Sequence, residues 1–198
     1  MSWTQLSESG QVTGTERAAR PFETLLIRLR HALTRSSRRE PEPECPLRHS
    51  YWVEPGRLLA GGYPFSIDDV ARLCRTVTFI VDLTEEHELE PYVEQLRGVR
   101  RVRVPVRDFS VPTDEEMIRI LDLIDEGLAQ EDVVYVHCWG GRGRTGTVVG
   151  CHLVRHGMEP SEALARIARL RRRVPDRHVP SPEAAEQIAM VRRWRPGR

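Results

Sequence analysis

The chain has 198 residues, of which 39% are apolar and 30% charged, and its formal net charge is +1. These values are typical of one soluble globular domain with a tail. No run of 18 apolar residues and no signal-peptide stretch is present, so we expect neither a membrane span nor secretion. All 30 basic residues are arginine, which excludes an ATP site of the Walker type because that site requires a lysine.

The first part of the chain, residues 1–49, is predicted to be an accessory region that is partly disordered, ahead of a folded domain at residues 50–195. Its first 15 residues are polar and turn-rich. Apolar residues recur at helical spacing between Phe22 and Leu33, which predicts a helix that docks on the domain, with a helix on a membrane surface as the alternative. The role of this region stays open.

From Ser50 onward, segments with strand patterns and helix patterns alternate. The predicted strands are Arg57–Ala60, Val77–Val81, Val99–Val106 and Val133–Val136. The third of these alternates apolar residues with arginine, which indicates one polar face or an edge position. The predicted helices begin at Ser66, Thr84, Thr113, Thr145, Ser161 and Ser181. This alternation predicts an α/β fold whose mainly parallel central sheet is flanked by helices on both faces.

The most informative segment, Val133–Gly146, runs from the last predicted strand through a glycine-rich loop into a helix. In an open α/β sheet, ligands bind at the carboxyl end of a central strand. Glycines allow the backbone to curl until successive N–H groups point inward, and such a nest at a helix N-terminus holds an anion of phosphate size. The predicted phosphate-binding residues are Trp139, Gly140, Gly141, Arg142, Gly143 and Arg144.

Cys138, at the start of this loop, is the predicted nucleophile, because the N–H nest and the helix dipole stabilise a thiolate there. Arg144 lies six residues further on, where its planar guanidinium can hold two phosphate oxygens. The hydroxyl of Thr145 can hydrogen-bond the sulfur and ease its departure. A buried structural cysteine beside a glycine turn is disfavoured by the complete Cys-x5-Arg-Thr-Gly run.

The remaining cysteines, at positions 45, 74 and 151, form no CxxC pair and have no zinc-site spacing. Cys74 and Cys151 fall on apolar helix faces and are predicted to be core residues, although a redox role as partner of Cys138 stays open. Free thiols indicate a reducing compartment, so we expect a cytoplasmic protein. We expect no metal and no other cofactor.

The run His137–Gly146, with its Cys-x5-Arg core, resembles the signature of the cysteine-based protein tyrosine phosphatase superfamily. The shortness of the domain resembles the dual-specificity branch of that superfamily, including its bacterial members. The resemblance implies a phosphatase fold around a Cys-x5-Arg phosphate loop. It also implies a general acid, an aspartate on a mobile loop upstream of the nucleophile.

Asp108 is the residue that best matches this general acid, and Asp114, in the first turn of a predicted helix, is its rival. The resemblance implies that His137 organises the loop by hydrogen bonding. Gln187 matches a residue that positions the hydrolytic water in some members. Arg142 resembles a basic loop residue of members that accept highly charged phosphates, although an ordinary solvated loop residue would look the same.

Together these residues predict a phosphomonoester hydrolase that acts on phosphotyrosine, and further on phosphoserine or phosphothreonine, in proteins through a phosphocysteine intermediate. The expected partner is a phosphorylated protein or a small phosphomonoester, not a nucleic acid. The arginine-rich stretch 166–198 keeps open the same chemistry on a phosphoinositide, an inositol phosphate or an RNA 5′-phosphate. An inactive phosphate-binding module and a sulfur transferase of rhodanese type are two further functions that stay open. So do the physiological substrate and the oligomeric state.

Overall fold

The computed structural model describes residues 43–90 and 92–198. The predicted accessory region, apart from its last seven residues, lies outside the described residues. The strands of the described part are β1 (Ser50–Glu54), β2 (Leu58–Gly61), β3 (Phe79–Asp82), β4 (Arg100–Arg103) and β5 (Val134–His137). Its α-helices are α1 (Ile67–Cys74), α2 (Asp114–Ala129), α3 (Gly143–Arg155), α4 (Pro160–Leu170) and α5 (Ala185–Arg193). Short 3-10 helices occupy Val93–Gln95 and Arg171–Arg173.

The five strands form one sheet in the order β1-β2-β5-β3-β4. The pair β1 and β2 is antiparallel, and every other neighbouring pair is parallel. The central strand β5 ends at His137, which lies level with Gly61 of β2 and Asp82 of β3. The carboxyl ends of three parallel strands therefore meet where the predicted loop begins. The predicted fold, a mainly parallel α/β sheet, is confirmed.

Helices cover both faces of this sheet, as predicted. Along β3, Phe79 and Val81 pack into a core with α2, α3, α4 and α5. Ile80, which points to the opposite face, packs with Val70 and Leu73 of α1. The alternation follows from the pleat of a strand, which turns successive side chains to opposite faces. Among the described residues, no helix is long and apolar enough to span a membrane.

Several predicted helix starts are confirmed by their caps. The side chain of Ser66 accepts a hydrogen bond from the Asp69 N–H at the start of α1. At α2, Thr113 and Glu116 form the complete capping box that their spacing predicted. Such caps satisfy N–H groups that have no partner inside the helix. Strand β4 lies at the edge of the sheet, which agrees with its alternation of apolar and arginine residues.

Three predicted helix starts are wrong. No helix begins at Thr84, because its N–H and its hydroxyl both donate to the Asp82 carboxylate and hold the chain in a turn. Helix α4 starts at Pro160 and not after a Ser161 cap. Helix α5 starts only at Ala185, because the Ser181 hydroxyl donates to the carbonyl of Arg142 instead of capping. Strand β1 was not predicted.

Candidate active site

The glycine loop, defined here as residues 138–144, joins the end of β5 to the start of α3. Its carbonyl groups are used by the protein: Trp139 O accepts from Tyr63 N at 2.8 Å, and Arg142 O accepts from Gly146 N at 3.0 Å. The N–H groups of residues 139–144, by contrast, donate to no acceptor in the described part of the chain. A run of free donors at a helix N-terminus is an anion-binding arrangement.

Gly141 fixes the path of this loop. Its φ is +68°, a left-handed conformation that side chains with a Cβ adopt at a cost. A Cβ at this position would also lie 2.6 Å from the backbone nitrogen of Gly62. Because the loop presses directly on the segment after β2, only glycine satisfies both the conformation and the close approach.

Cys138 is 3% exposed and follows His137 directly. The ring of His137 is fully buried, and this burial lowers its pKa, so the imidazole is neutral near pH 7. Its Nδ1 lies 3.2 Å from the carbonyl of Cys138, which can only accept, so Nδ1 carries the proton. Its Nε2 then accepts a hydrogen bond from the Tyr92 hydroxyl at 2.6 Å. This chain of contacts links Tyr92 through His137 to the backbone of Cys138, and the organising role of His137 stays a prediction.

Arg144 is almost fully buried, and two carboxylates hold its guanidinium. Glu88 accepts from Nη1 and Nη2 at 2.7 and 2.6 Å, in a bidentate pair, and Val106 O accepts from Nη1 at 3.0 Å. Asp108 Oδ1 lies 3.0 Å from Nη2. Burial alone would lower the pKa of Arg144, but the Glu88 hydrogen bonds and the negative charges of Cys138 and Asp108 raise it. The remaining donor, Nε, is buried and makes no hydrogen bond within the described residues.

Asp108 stands on the loop between β4 and α2, with a 36% exposed side chain. Its carboxylate accepts from the Phe109 N–H at 3.0 Å, while Phe109 adopts a φ of +57° and turns outward. The rival Asp114 lies in the first turn of α2 and is ion-paired with Arg193 and Arg198, at 2.8 and 2.6 Å. Of the two aspartates, Asp108 is the one that contacts Arg144.

Gln187, in the first turn of α5, joins three segments. Its Nε2 donates to the carbonyl of Ser110 at 3.1 Å, and its Oε1 accepts from Ala184 N at 3.1 Å. A Cβ on Gly143 would lie 2.9 Å from both amide atoms, so the Gln187 side chain touches the glycine loop. The structure thus brings Gln187 beside both the loop of Asp108 and the loop of the nucleophile.

Arg142 lies next to two acidic residues. Its Nη1 is 3.6 Å from Asp176, and its Nε is 3.5 Å from Glu183. Both distances join opposite charges without a hydrogen bond, and they offset the positive charge of Arg142. Trp139, the other large residue of the loop, exposes 48% of its surface next to Tyr63.

Thr145 and the two cysteines on helix faces make contacts outside the glycine loop. The Thr145 hydroxyl donates to the carbonyl of Gly61 at 3.3 Å, so its predicted bond to sulfur stays a prediction. Burial raises the pKa of Cys151 to about 12, which keeps that thiol protonated in the core. Cys74 is half-buried and packs beside the core on the α1 face.

Sequence reasoning assigned no chemistry to Asp82 and missed Glu88 and Tyr92. The position of Asp82 in the sequence could have indicated a residue of the site. Asp82 ends the strand next to β5, and the carboxyl ends of parallel strands meet at one edge of the sheet. It is buried, and it pairs with Arg101 and lies 3.8 Å from His137 Nε2. Glu88 and Tyr92 belong to no motif, since each reaches the site from the loop that follows β3.

Comparison with known proteins places residues 47–198 in one family, described as Swiss Army Knife protein, DSP-PTPase phosphatase domain. The chain is 30% identical over 122 residues to phosphatidylglycerophosphate phosphatase PTPMT1 of Arabidopsis thaliana, covering 59% of this chain and 36% of that protein. It is 26% identical over 129 residues to tyrosine-protein phosphatase cdc-14 of Caenorhabditis elegans, covering 57% and 18%. The chain therefore spans less than half the length of either relative. The crystal structure of Tk-PTP in the active form matches with a TM-score of 0.64 and 28% identity, over 72% of this chain and 93% of that one.

Proposed function

We propose that this chain, which belongs to the dual-specificity phosphatase family of the cysteine-based type, hydrolyses phosphotyrosine in proteins, with phosphoserine and phosphothreonine as further substrates. The observation that carries the proposal is the set of unpartnered donors around Cys138. The N–H groups of residues 139–144 and Nε of Arg144 make no hydrogen bond within the described residues. A tetrahedral oxyanion in the loop would offer acceptors to these donors. The gain is largest for the buried Nε of Arg144, because a buried donor without a partner is costly.

In the first step, the substrate phosphate binds in the glycine loop and the Cys138 thiolate attacks phosphorus. A sulfur–phosphorus bond forms as the bond to the leaving oxygen breaks, and the Asp108 carboxyl gives its proton to that oxygen. Asp108 touches the same guanidinium that would hold the phosphate, which supports this role. The loop donors and Arg144 stabilise the charge on the phosphoryl oxygens in the transition state.

In the second step, the Asp108 carboxylate takes a proton from water, and the water oxygen displaces the sulfur from phosphorus. Inorganic phosphate leaves and the Cys138 thiolate returns, so atoms and charge balance over the cycle. We assign Gln187 to positioning this water, because it contacts both the loop of Asp108 and the glycine loop. Thr145 is the candidate donor to the departing sulfur. We expect this chemistry in the cytoplasm, where the free thiols stay reduced.

The surroundings of the glycine loop favour a substrate with one phosphate on an aromatic ring. Glu183 and Asp176, which also pairs with Arg171, partly offset the charge of Arg142 and so weaken its attraction for a second phosphate group. Trp139 and Phe109 expose large aromatic surfaces on the two loops that flank the site, where a phenyl ring can pack. These contacts support phosphotyrosine over a highly charged inositol phosphate.

A lipid phosphomonoester is the second candidate. One relative is named a phosphatidylglycerophosphate phosphatase, and exposed apolar side chains beside the site could equally contact a membrane surface. The two candidates share the same nucleophile and the same glycine loop. They differ in what surrounds the phosphate.

The test compares phosphate release from a phosphotyrosine peptide and from vesicles that contain phosphatidylinositol phosphate or phosphatidylglycerophosphate. We expect the peptide to give the higher kcat/KM, and higher turnover of either vesicle would reverse the substrate assignment. Cys138→Ser serves as the control, with an expected loss of at least about 10⁴-fold in kcat. Turnover by Cys138→Ser comparable to the parent would refute the proposed nucleophile.

A further inference from the structure

We propose that Asp125, His152 and His156 form a Zn²⁺ site at the end of α3 opposite the glycine loop. His152 and His156 are four residues apart, which places them on one side of the last turn of this helix. Asp125 comes from the neighbouring helix α2. One donor atom from each of the three residues lies within 4.8 Å of the others.

The strongest indication is the position of His152, whose side chain is 2% exposed. Its Nε2 lies 3.4 Å from Glu54 Oε1, a carboxylate oxygen that can only accept, so Nε2 carries a proton. Nδ1 is buried without a hydrogen-bond partner among the described residues and lies 3.6 Å from Asp125 Oδ1. A buried ring nitrogen without a hydrogen-bond partner, next to a carboxylate oxygen and a second imidazole, is an arrangement that a bound metal ion would satisfy.

The two oxygens of the Asp125 carboxylate face different neighbours. Its Oδ1 faces the histidines, 3.0 Å from His156 Nε2 and 3.6 Å from His152 Nδ1. Its Oδ2 faces Nη1 of Arg155 at 3.4 Å, and Arg155 also pairs with Asp122. One oxygen is therefore oriented by a cationic side chain, as is common for ligating carboxylates. The other accepts a hydrogen bond from Nε2 of His156, and a metal ion would bind there in place of that proton.

These spacings suit zinc. Zn²⁺ binds imidazole nitrogen and carboxylate oxygen at about 2.0–2.2 Å in a tetrahedron, so neighbouring ligand atoms are about 3.3–3.5 Å apart. The distances from Asp125 Oδ1 to the two histidines, 3.0 and 3.6 Å, bracket that value. Two imidazoles favour Zn²⁺ over the oxygen-preferring Mg²⁺ and Ca²⁺. The side chain of His156 is 54% exposed, so water has access to a fourth position.

Glu54 completes the arrangement from the end of β1. By accepting from Nε2 of His152 it fixes the ring orientation and leaves Nδ1 for the metal, a pairing that recurs around zinc-bound histidines. Bound zinc would link α2 and α3. Because the site is assembled only in the folded chain, zinc would raise the thermal stability of the protein. It would not be required for turnover, since the glycine loop lies at the other end of α3.

The experiment is a calorimetric titration of ZnCl₂ into the full-length, tag-free Cys138→Ser chain, because the Cys138 thiolate would itself bind zinc. We expect one zinc per chain at this site and an increase in melting temperature. His156→Ala removes a ligand without disturbing the core, since the side chain is exposed, and we expect affinity to fall by about 100-fold or more. Glu54→Gln should weaken binding by about tenfold, since it removes only an outer contact.

His178→Ala is the matched control, because His178 is an exposed histidine outside the cluster. It should bind zinc like the parent. Circular dichroism of each variant confirms that the fold is retained. In the chain with Cys138 intact, His156→Ala should keep its phosphatase activity. Zinc binding that is unaffected by His156→Ala, or no zinc binding by the parent Cys138→Ser chain, would overturn the proposal.

Discussion

The two ends of helix α3 carry polar groups of different origin. At its start, the proposed nucleophile Cys138, the loop amides and Arg144 come from seven consecutive residues, 138–144. At its end, the cluster of Asp125, His152 and His156 joins α2 to α3, and Glu54 of β1 supports it. The first arrangement is fixed by local backbone geometry, and the second exists only after the helices have packed. A contiguous site can therefore be identified from a sequence motif, whereas a site assembled from several elements can be identified only from the fold.

The substitution with the largest expected effect on activity is Gly141→Ala, in the glycine loop. Gly141→Ala combines a positive φ with a Cβ 2.6 Å from the Gly62 nitrogen, so the loop must move. Several loop amides would be displaced together, and each such donor is worth about 10²–10³ in rate. We expect kcat/KM for a phosphotyrosine peptide to fall by at least about 10⁴-fold, while the zinc affinity of the far end is unchanged.

Gly157→Ala is the control at the far end of α3. Gly157 also has a positive φ, +93°, but a Cβ there would meet no atom within 4 Å. The substitution should cost only the backbone strain, about 1 kcal/mol of unfolding free energy, and leave turnover intact. Equal losses of activity in Gly141→Ala and Gly157→Ala would contradict the contrast between the two ends.

Arg144→Lys tests whether the positive charge of Arg144 is sufficient for activity or whether its planar guanidinium is required. A lysine keeps the positive charge but loses the planar fork that pairs with Glu88 and the buried Nε donor that is unpartnered among the described residues. We expect kcat/KM to fall by about 10³-fold in steady-state assays, with the fold retained. Arg142→Lys is the matched control in the same loop and should change kcat/KM little. A near-wild-type rate for Arg144→Lys would show that charge alone suffices.

Asp108→Asn tests the general acid without changing the size of the side chain. Loss of proton transfer should lower kcat for phosphotyrosine by about 10²-fold. The effect should be smaller for 4-nitrophenyl phosphate, whose leaving group needs little protonation. Asp114→Asn removes the rival carboxylate and should leave kcat unchanged. If Asp114→Asn has the larger effect, the assignment of the acid is reversed.

Asp82→Asn tests whether the buried Asp82 carboxylate stabilises the fold next to the glycine loop, and the measured quantity is the free energy of unfolding. Burial alone would raise the pKa of Asp82, but His137, the hydroxyl and amide of Thr84, and Arg101 together lower it. Because the folded-state pKa lies below the unfolded one, the stabilisation is present above about pH 4 and is lost as pH falls through the folded pKa. Chemical denaturation should show a loss of about 2 kcal/mol at pH 7 that shrinks in acid. A difference that is constant with pH would contradict this account.

Much of the fold could be predicted because its local signals agree with its packing. The caps of α1 and α2 lie where they were predicted, and the β-branched strands β3 and β5 form within one or two residues of their predicted bounds. The false helix at Thr84 arose because the partner of that residue is Asp82, a side chain that a capping pattern does not consider. Strand β1 was missed although Tyr51, Trp52 and Val53 are residue types that favour strands, and the structure pairs it antiparallel with β2.

In the candidate site, the contiguous loop could be predicted and its supports could not. The free amides follow from glycine placement, so the loop residues were found directly. Glu88, the bidentate partner of Arg144, lies 56 residues away in the sequence and shares no spacing rule with it. Tyr92 reaches His137 across 45 residues for the same reason. Long-range pairs of this kind depend on how the loop after β3 folds over the sheet.

Trapping the phosphoenzyme tests most directly whether Cys138 is the nucleophile. Asp108→Asn would be mixed with 4-nitrophenyl phosphate and quenched in acid within its first turnovers. The good leaving group allows the first step, while the missing base slows hydrolysis, so the intermediate accumulates. Peptide mass spectrometry should find one phosphoryl group on Cys138. A phosphoryl group on any other residue, or an unmodified Cys138 while product continues to form, would contradict the proposed mechanism.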